Sequence, residues 1–376
     1  MNQRPLKIAL IDPYYQGHHC LYALQLVREL VLAGHRVYAL GHPHFVEALK
    51  DYSERVFEIE LKPSVKGLDI LAKRQFLLKS FSICQDLPLD IVHLLYLDRF
   101  ITPLYFAKHK TLSFKRVCAT LHWGYFLPQF LEGSVRRGYG GLEHLLLKRL
   151  IQDGLIIMTH SHSLIKSLAQ PRLSYVPYPA EAESHPKTLN LREQLKLKTQ
   201  DKLLLAFGGT RYDKGVDLAI KALAGLDDDI HLLIAGKAED FDAATLTTLI
   251  QQHQLETRVH LHLNFIPDAQ TPSYFEAADA VLLPYRHIFA GQSGPLTLAA
   301  VYERPVISSD SPMLKESIEA FKLGESFPSE NISEMQRAIK QVLKGNYQRT
   351  ADFSGFRISH SPANFARAVM RSYLLS

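Results

Sequence analysis

Cysteine is scarce in this 376-residue chain: Cys20, Cys84 and Cys118 are the only three, all in the first third and none in a Cys-x-x-Cys pair. That excludes a disulfide framework and a zinc knuckle, and it fits a reducing cytoplasm. Long apolar runs are missing too. The richest stretch, 93–107, is interrupted by Asp98-Arg99, so nothing approaches the roughly 20 apolar residues of a membrane helix. Near the start, Ile8-Ala9-Leu10-Ile11 is stopped by Asp12-Pro13, too short for a signal-peptide core; secretion by that route is not expected. Glycine and proline, 20 and 19 residues, are too few for collagenous or disordered sequence. What remains is 47% hydrophobic and 22% charged, an ordinary globular composition, at a length that suggests two domains of roughly 150 residues.

The net charge of +5 is unevenly spread: residues 1–180 carry 22 Lys and Arg against 14 Asp and Glu, and residues 181–376 carry 21 against 24. Lys108, Lys110, Lys115, Arg116, Arg136, Arg137, Lys148 and Arg149 cluster in the basic half. A solvated surface explains such a cluster first, and peripheral contact with an anionic bilayer at the inner face of the membrane comes next. Nucleic acid is not expected, because no recognition signature accompanies the charge.

Short β-branched or leucine-rich runs alternate with helical-period segments along the whole chain, the pattern of parallel βαβ units. Strands are expected at 7–11, 37–40, 56–61, 91–95, 117–121 and 155–159, then at 203–207, 232–235, 259–263, 280–283 and 306–308. The clearest helix, 20–33, carries Leu21, Leu24, Val27, Leu30 and Val31 on one stripe and ends at Gly34, a favoured left-handed cap. Pro177, Pro179 and Pro186 break the pattern. The fold class is therefore α/β, with two Rossmann-like doubly wound domains. Residues 1–180 form the first, 181–201 a linker, 202–350 the second, and 351–376 a tail that packs back on the first. Ligands of open α/β sheets sit beyond the carboxyl ends of the strands, so two such sheets facing each other imply an interdomain cleft lined by strand-to-helix loops.

Four loops could carry chemistry. Phe207-Gly208-Gly209-Thr210-Arg211-Tyr212-Asp213-Lys214-Gly215 runs from a strand into a helix. Glycine admits a ligand close to the backbone, the helix offers free amides, and Arg211 and Lys214 bring two cations: the makings of a diphosphate site. A pairing of Arg211 with Asp213 is the competing structural reading. The second loop, 283–295, ends in Gln292-Ser293-Gly294-Pro295, where Pro295 suits a first helical turn and the amides are open to an anion. The third places His122 beside the only tryptophan, Trp123, at a strand end. The fourth, Asp12 to His19, has Gly17 before a helix; His18 and His19 are not metal ligands, since adjacent positions diverge and no partner has ligand spacing.

Taken together, these residues resemble the GT-B retaining glycosyltransferases of family 4 over essentially the whole chain. The resemblance is carried by Arg211-Tyr212-Asp213-Lys214-Gly215-Val216-Asp217, Leu233-Ile234-Ala235-Gly236, Ala278-Asp279-Ala280-Val281-Leu282-Leu283-Pro284-Tyr285-Arg286, Gln292-Ser293-Gly294 and Arg304-Pro305-Val306-Ile307, in the family's order. In the first half, His122 and Val176-Pro177-Tyr178-Pro179 match. The resemblance implies that Arg211 and Lys214 bind the donor diphosphate and stabilise the departing nucleotide. It implies that Gly209, Gln292, Ser293, Gly294 and Pro295 complete the donor site, that His122 contacts the sugar, and that Gly17 stands near the phosphate. No metal or other cofactor is implied. Two glutamates common in the family are replaced here by Ala290 and Leu298, and Glu316 matches another common acid or is surface.

The expected activity is transfer of a sugar, with retention, from a nucleotide sugar, UDP favoured, to a hydroxyl of a glycan, lipid-linked or small-molecule acceptor during polysaccharide or glycolipid assembly. The alternatives are a catalytically silent nucleotide-sugar-binding module and a sugar-nucleotide epimerase of the same architecture.

Overall fold

The structure, a computed structural model, describes residues 4–15, 19–62, 69–127, 130, 134–180, 189–345 and 347–375. The chain divides into two compact units, one of Met1–Pro179 with Ser359–Ser376, the other of Ala180–Ile358.

In the first unit seven parallel strands, β1 (Lys7–Asp12), β2 (Arg36–Gly41), β3 (Arg55–Glu58), β4 (Ile91–Leu94), β5 (Val117–Leu121), β6 (Ile156–Thr159) and β7 (Leu173–Tyr175), lie in the order β3-β2-β1-β4-β5-β6-β7. The central strands are largely apolar, as strands buried on both faces tend to be: Ile8, Ala9, Leu10 and Ile11 are at most 1% exposed. The helix His19–Leu32 buries Tyr22, Leu26, Val27 and Leu30 against this sheet. The last helix, Pro362–Tyr373, joins the same core through Phe365, Val369 and Tyr373. Tyr373 shares a hydrogen bond of 2.8 Å with His93 Nδ1, and its carbonyl accepts from Arg116 at 2.7 Å. His93 is fully buried, its Nε2 meets Thr120 Oγ1 at 2.8 Å, and burial holds its imidazole down at about 3.

That buried histidine makes an acid-stability prediction. Folded His93 stays neutral while the unfolded chain takes up the proton near pH 6.5, so its contribution is unchanged above that pH and stability is lost as pH falls towards 3. Urea midpoints at pH 7.5 and pH 5 should differ more for the wild type than for His93→Gln; an equal or larger drop in the variant would contradict this origin.

In the second unit six parallel strands, β8 (Lys202–Phe207), β9 (Ile230–Ala235), β10 (Val259–His262), β11 (Ala280–Leu283), β12 (Val306–Ser309) and β13 (Gly324–Phe327), run in the order β10-β9-β8-β11-β12-β13. Their core includes Leu204, Leu232, Ile234, Ala280, Leu282 and Ile307, closed on one side by Val216, Ile220 and Leu223 of the helix Val216–Leu223 and Met335 and Ile339 of Ile332–Lys344. Connections β8 to β9 and β11 to β12 leave from neighbouring strands in opposite directions, so the order reverses between β8 and β11. In the first unit it reverses between β1 and β4.

The two doubly wound sheets agree with the fold expected from the alternation. The elements not foreseen include β7, of three residues; β13, whose Gly-Glu-Ser-Phe has no apolar run; the helix Pro312–Phe321; and a short helix, Leu191–Gln194, inside the stretch read as linker. Leu191 is 1% exposed, and Arg192 donates to the Ala277 carbonyl at 3.0 Å and to Asp279 at 3.1 Å, so residues from 189 onward belong to the second unit. The tail divides as well, since Phe356 packs on Phe321 within the second unit whereas residues from Ser359 join the first. All three cysteines are free. Within the basic cluster, Lys108 and Arg149 both face Asp153, at 2.7 and 3.7 Å. No helix among the described residues is long and apolar enough to cross a membrane.

Candidate functional site

The loops 208–215 and 284–293 leave the carboxyl ends of β8 and β11, the two strands that flank the reversal of order in the second unit. This is where an open α/β sheet leaves a crevice that helices do not cover. After β8 the backbone turns through Gly208, whose φ of +106° favours glycine. A side chain at Gly208 would collide with the Lys214 ammonium and would lie 3.9 Å from the Pro295 ring. Lys214 and the start of the helix Gly294–Val301, far apart in sequence, thus share the face of one glycine.

Lys214 is half-buried and makes no hydrogen bond or ion pair among the described residues. Burial pushes its ammonium down to about 8; Arg211 adds to the fall, while Asp213 and Glu239 oppose it. Arg211 takes the structural alternative read in the sequence: Nε and Nη2 donate to the two oxygens of Asp213 at 2.9 and 2.7 Å. Burial disfavours the Arg211 charge, and the bonds to Asp213 more than restore it. The helix Gly294–Val301 is capped by Ser293, whose Oγ accepts from the Leu296 amide at 3.2 Å and meets Tyr285 OH at 3.0 Å. Gly294 is exposed, with open space where a side chain would stand. Gln292 is half-buried, Ala290 buried and Leu298 half-buried.

Arg286 joins the two loops. Its guanidinium is bidentate on Asp217, at 3.0 and 2.8 Å, donates to the Tyr212 carbonyl at 2.6 Å, and stacks 3.9 Å over the Tyr212 ring. Its backbone amide donates to the Asp213 carbonyl at 2.9 Å. The sequence showed Arg286 as part of a pattern and gave it no role.

In the first unit His122 follows β5 and is 3% exposed. Its Nε2 lies 3.0 Å from the Leu95 carbonyl, and its ring stacks on Tyr96 with centroids 4.6 Å apart. Asp98, which sequence reading passed over, is buried beneath it: Oδ2 accepts the His122 amide at 3.1 Å and Oδ1 the Trp123 amide at 2.6 Å. Burial pushes the Asp98 carboxyl up to about 7 against those two bonds. Asp12, at the end of β1, pairs with His19 at 2.8 Å; burial raises its pKa, and His19 and the Tyr14 amide pull it back. Gly17 lies outside the described residues. Glu316 lies in the helix Pro312–Phe321. Among the described residues no three His, Cys, Asp or Glu side chains converge as metal ligands.

The architecture is that of the GT-B fold. Residues 187–354, which lie within the second unit, match the family model described as glycosyl transferases group 1. No curated protein matches the chain. Among solved structures, it is similar to sucrose-phosphate synthase from Thermosynechococcus elongatus, at 16% identity and a TM-score of 0.76 with 98% of each chain covered. It is similar to the Anabaena HepE protein in complex with UDP and glucose, at 15% identity and a TM-score of 0.71 over 98% of this chain and 99% of that one. A lipopolysaccharide outer core galactosyltransferase, WaaB, matches at 13% identity and a TM-score of 0.71, with the same coverage.

Proposed function

We propose that the chain is a retaining glycosyltransferase that moves a sugar from a nucleoside-diphosphate sugar, UDP favoured, to a hydroxyl of a glycan, lipid-linked or small-molecule acceptor in the cytoplasm. The observation that carries the reading is the meeting of Lys214, which has no hydrogen-bond partner among the described residues, with the Ser293-capped helix start at Gly208. A diphosphate there would receive the ammonium, the Gly294 amide at the start of the helix, and a guanidinium already held in place by Asp213. Charge that develops on the departing diphosphate is then met by groups that need no reorganisation. The two cations and the helix end account for that charge without a metal. From the resemblance we keep His122 on the transferred sugar and Gly17 near the phosphate. Bilayer contact through the basic first unit belongs to the same proposal, and the UDP complex of the Anabaena HepE protein supports the choice of base.

Ala290 and Leu298 favour a second reading, a module that binds donor without transferring it, because no carboxylate stands at either position. A thermal-shift screen of UDP-, GDP-, dTDP- and ADP-sugars comes first: a donor at 100 times its dissociation constant stabilises by about 2.7 kcal/mol, and no response to any of them rejects the donor site. Turnover with an acceptor panel, and the anomeric configuration of the product by NMR, then separate retaining transfer from a silent module. Conversion of the donor without acceptor would identify an epimerase.

A further inference from the structure

The loop after β9 brings a carboxylate to the donor loop that the sequence did not single out. Thr210, fully buried, ties the two loops together: its amide donates to the Lys237 carbonyl at 3.0 Å, its carbonyl accepts the Phe241 amide at 3.0 Å, and its Oγ1 accepts the Glu239 amide at 2.9 Å while donating to the Phe241 carbonyl at 2.6 Å. The backbone of Glu239 is thereby fixed beside Gly209. Its carboxylate lies over Gly209 so closely that any side chain there would collide with it. It favours the charged forms of both Arg211 and Lys214. Yet the carboxylate itself is exposed and makes no hydrogen bond or ion pair among the described residues. A carboxylate held against a phosphate-type loop, with both oxygens free to accept, suits a neighbouring pair of hydroxyls better than an anion, which it would repel.

We propose that Glu239 accepts hydrogen bonds from the vicinal hydroxyls of the donor's ribose, supplying from the β9 loop a carboxylate that the helix at Leu298 does not. This rests on the donor-site reading above. It makes Glu239 a specificity residue that distinguishes ribonucleotides from deoxyribonucleotides, with Arg211 and Lys214 left to the diphosphate.

Titration calorimetry of the full chain with UDP and with 2′-deoxy-UDP tests it, on the wild type and on Glu239→Gln. Wild type should bind UDP about ten-fold more tightly than the deoxy form, as expected when a charged acceptor loses a hydroxyl donor. Glu239→Gln should weaken UDP by a similar factor and bring the two ligands together. Glu239 is exposed, so the variant's melting temperature should match the wild type. A variant that keeps the wild-type preference, or that binds both nucleotides more tightly because a competing carboxylate has gone, overturns the assignment while leaving the donor site standing. If the wild type binds neither nucleotide, the donor reading itself fails and the inference falls with it.

Discussion

Lys214→Ala is expected to lower the transfer rate by about 10²–10³-fold, the loss seen when one preorganised group that stabilises developing negative charge is removed. The fold should survive, because the side chain makes no hydrogen bond or ion pair among the described residues. Arg211→Ala should cost a comparable factor and, in addition, release Asp213, whose unpaired carboxylate then faces the diphosphate. Because the Lys214 ammonium sits at about 8 in the free protein, donor affinity should fall as pH rises through that value, and the fall should be absent in Lys214→Ala. Single-turnover rates at saturating donor, with nucleotide affinity measured separately, make the check. A Lys214→Ala enzyme with near wild-type rate would remove the diphosphate from this loop.

Arg286→Ala should be the most destabilising single change at the site. The side chains of Arg286 and Asp217 are 7% and 11% exposed, and removing one member of a buried pair strands the other charge, at a cost of ~3–5 kcal/mol. Lys221, 3.9 Å from Asp217, moderates this towards about 3 kcal/mol, which for a unit of this size corresponds to a melting temperature lower by roughly 6–12 °C. Loss of the Tyr212 carbonyl bond and the stacking should also loosen the donor loop, so nucleotide affinity should weaken together with stability. In a double-mutant cycle, Arg286→Ala with Asp217→Ala should cost less than the two single changes added. Additive effects would mean that the pair does not join the loops.

Much of this architecture was legible because parallel strands buried on both faces read as continuous apolar runs: Leu203-Leu204-Leu205-Ala206 and Ala280-Val281-Leu282-Leu283 leave little doubt about β8 and β11. The loops that follow were legible for the same reason, since a glycine-rich or proline-pinned stretch directly after such a run has to lie at a strand end. The edges were harder. β13 reads Gly-Glu-Ser-Phe and is half-exposed, so no burial pattern marks it. Partnerships across long sequence separation left no local trace. Asp98 lies 24 residues from the histidine whose amide it holds, Asp217 lies 69 from Arg286, and Glu239 meets Gly209 only because β8 and β9 are neighbours. In each case the residue is unremarkable in its own segment, and the sheet order alone gives it a partner.

The division of the chain has a bearing on synthesis. Ala180–Ile358 is one continuous piece, whereas the other unit is assembled from the segments on either side of it. Domains usually complete in order from the amino terminus as they leave the ribosome. Here the unit begun first must wait for Tyr373 to reach His93, so the middle of the chain can finish folding before the beginning does. A nascent chain that has emerged only as far as Ile358 would carry a finished second unit attached to a first unit whose core still lacks Phe365, Val369 and Tyr373.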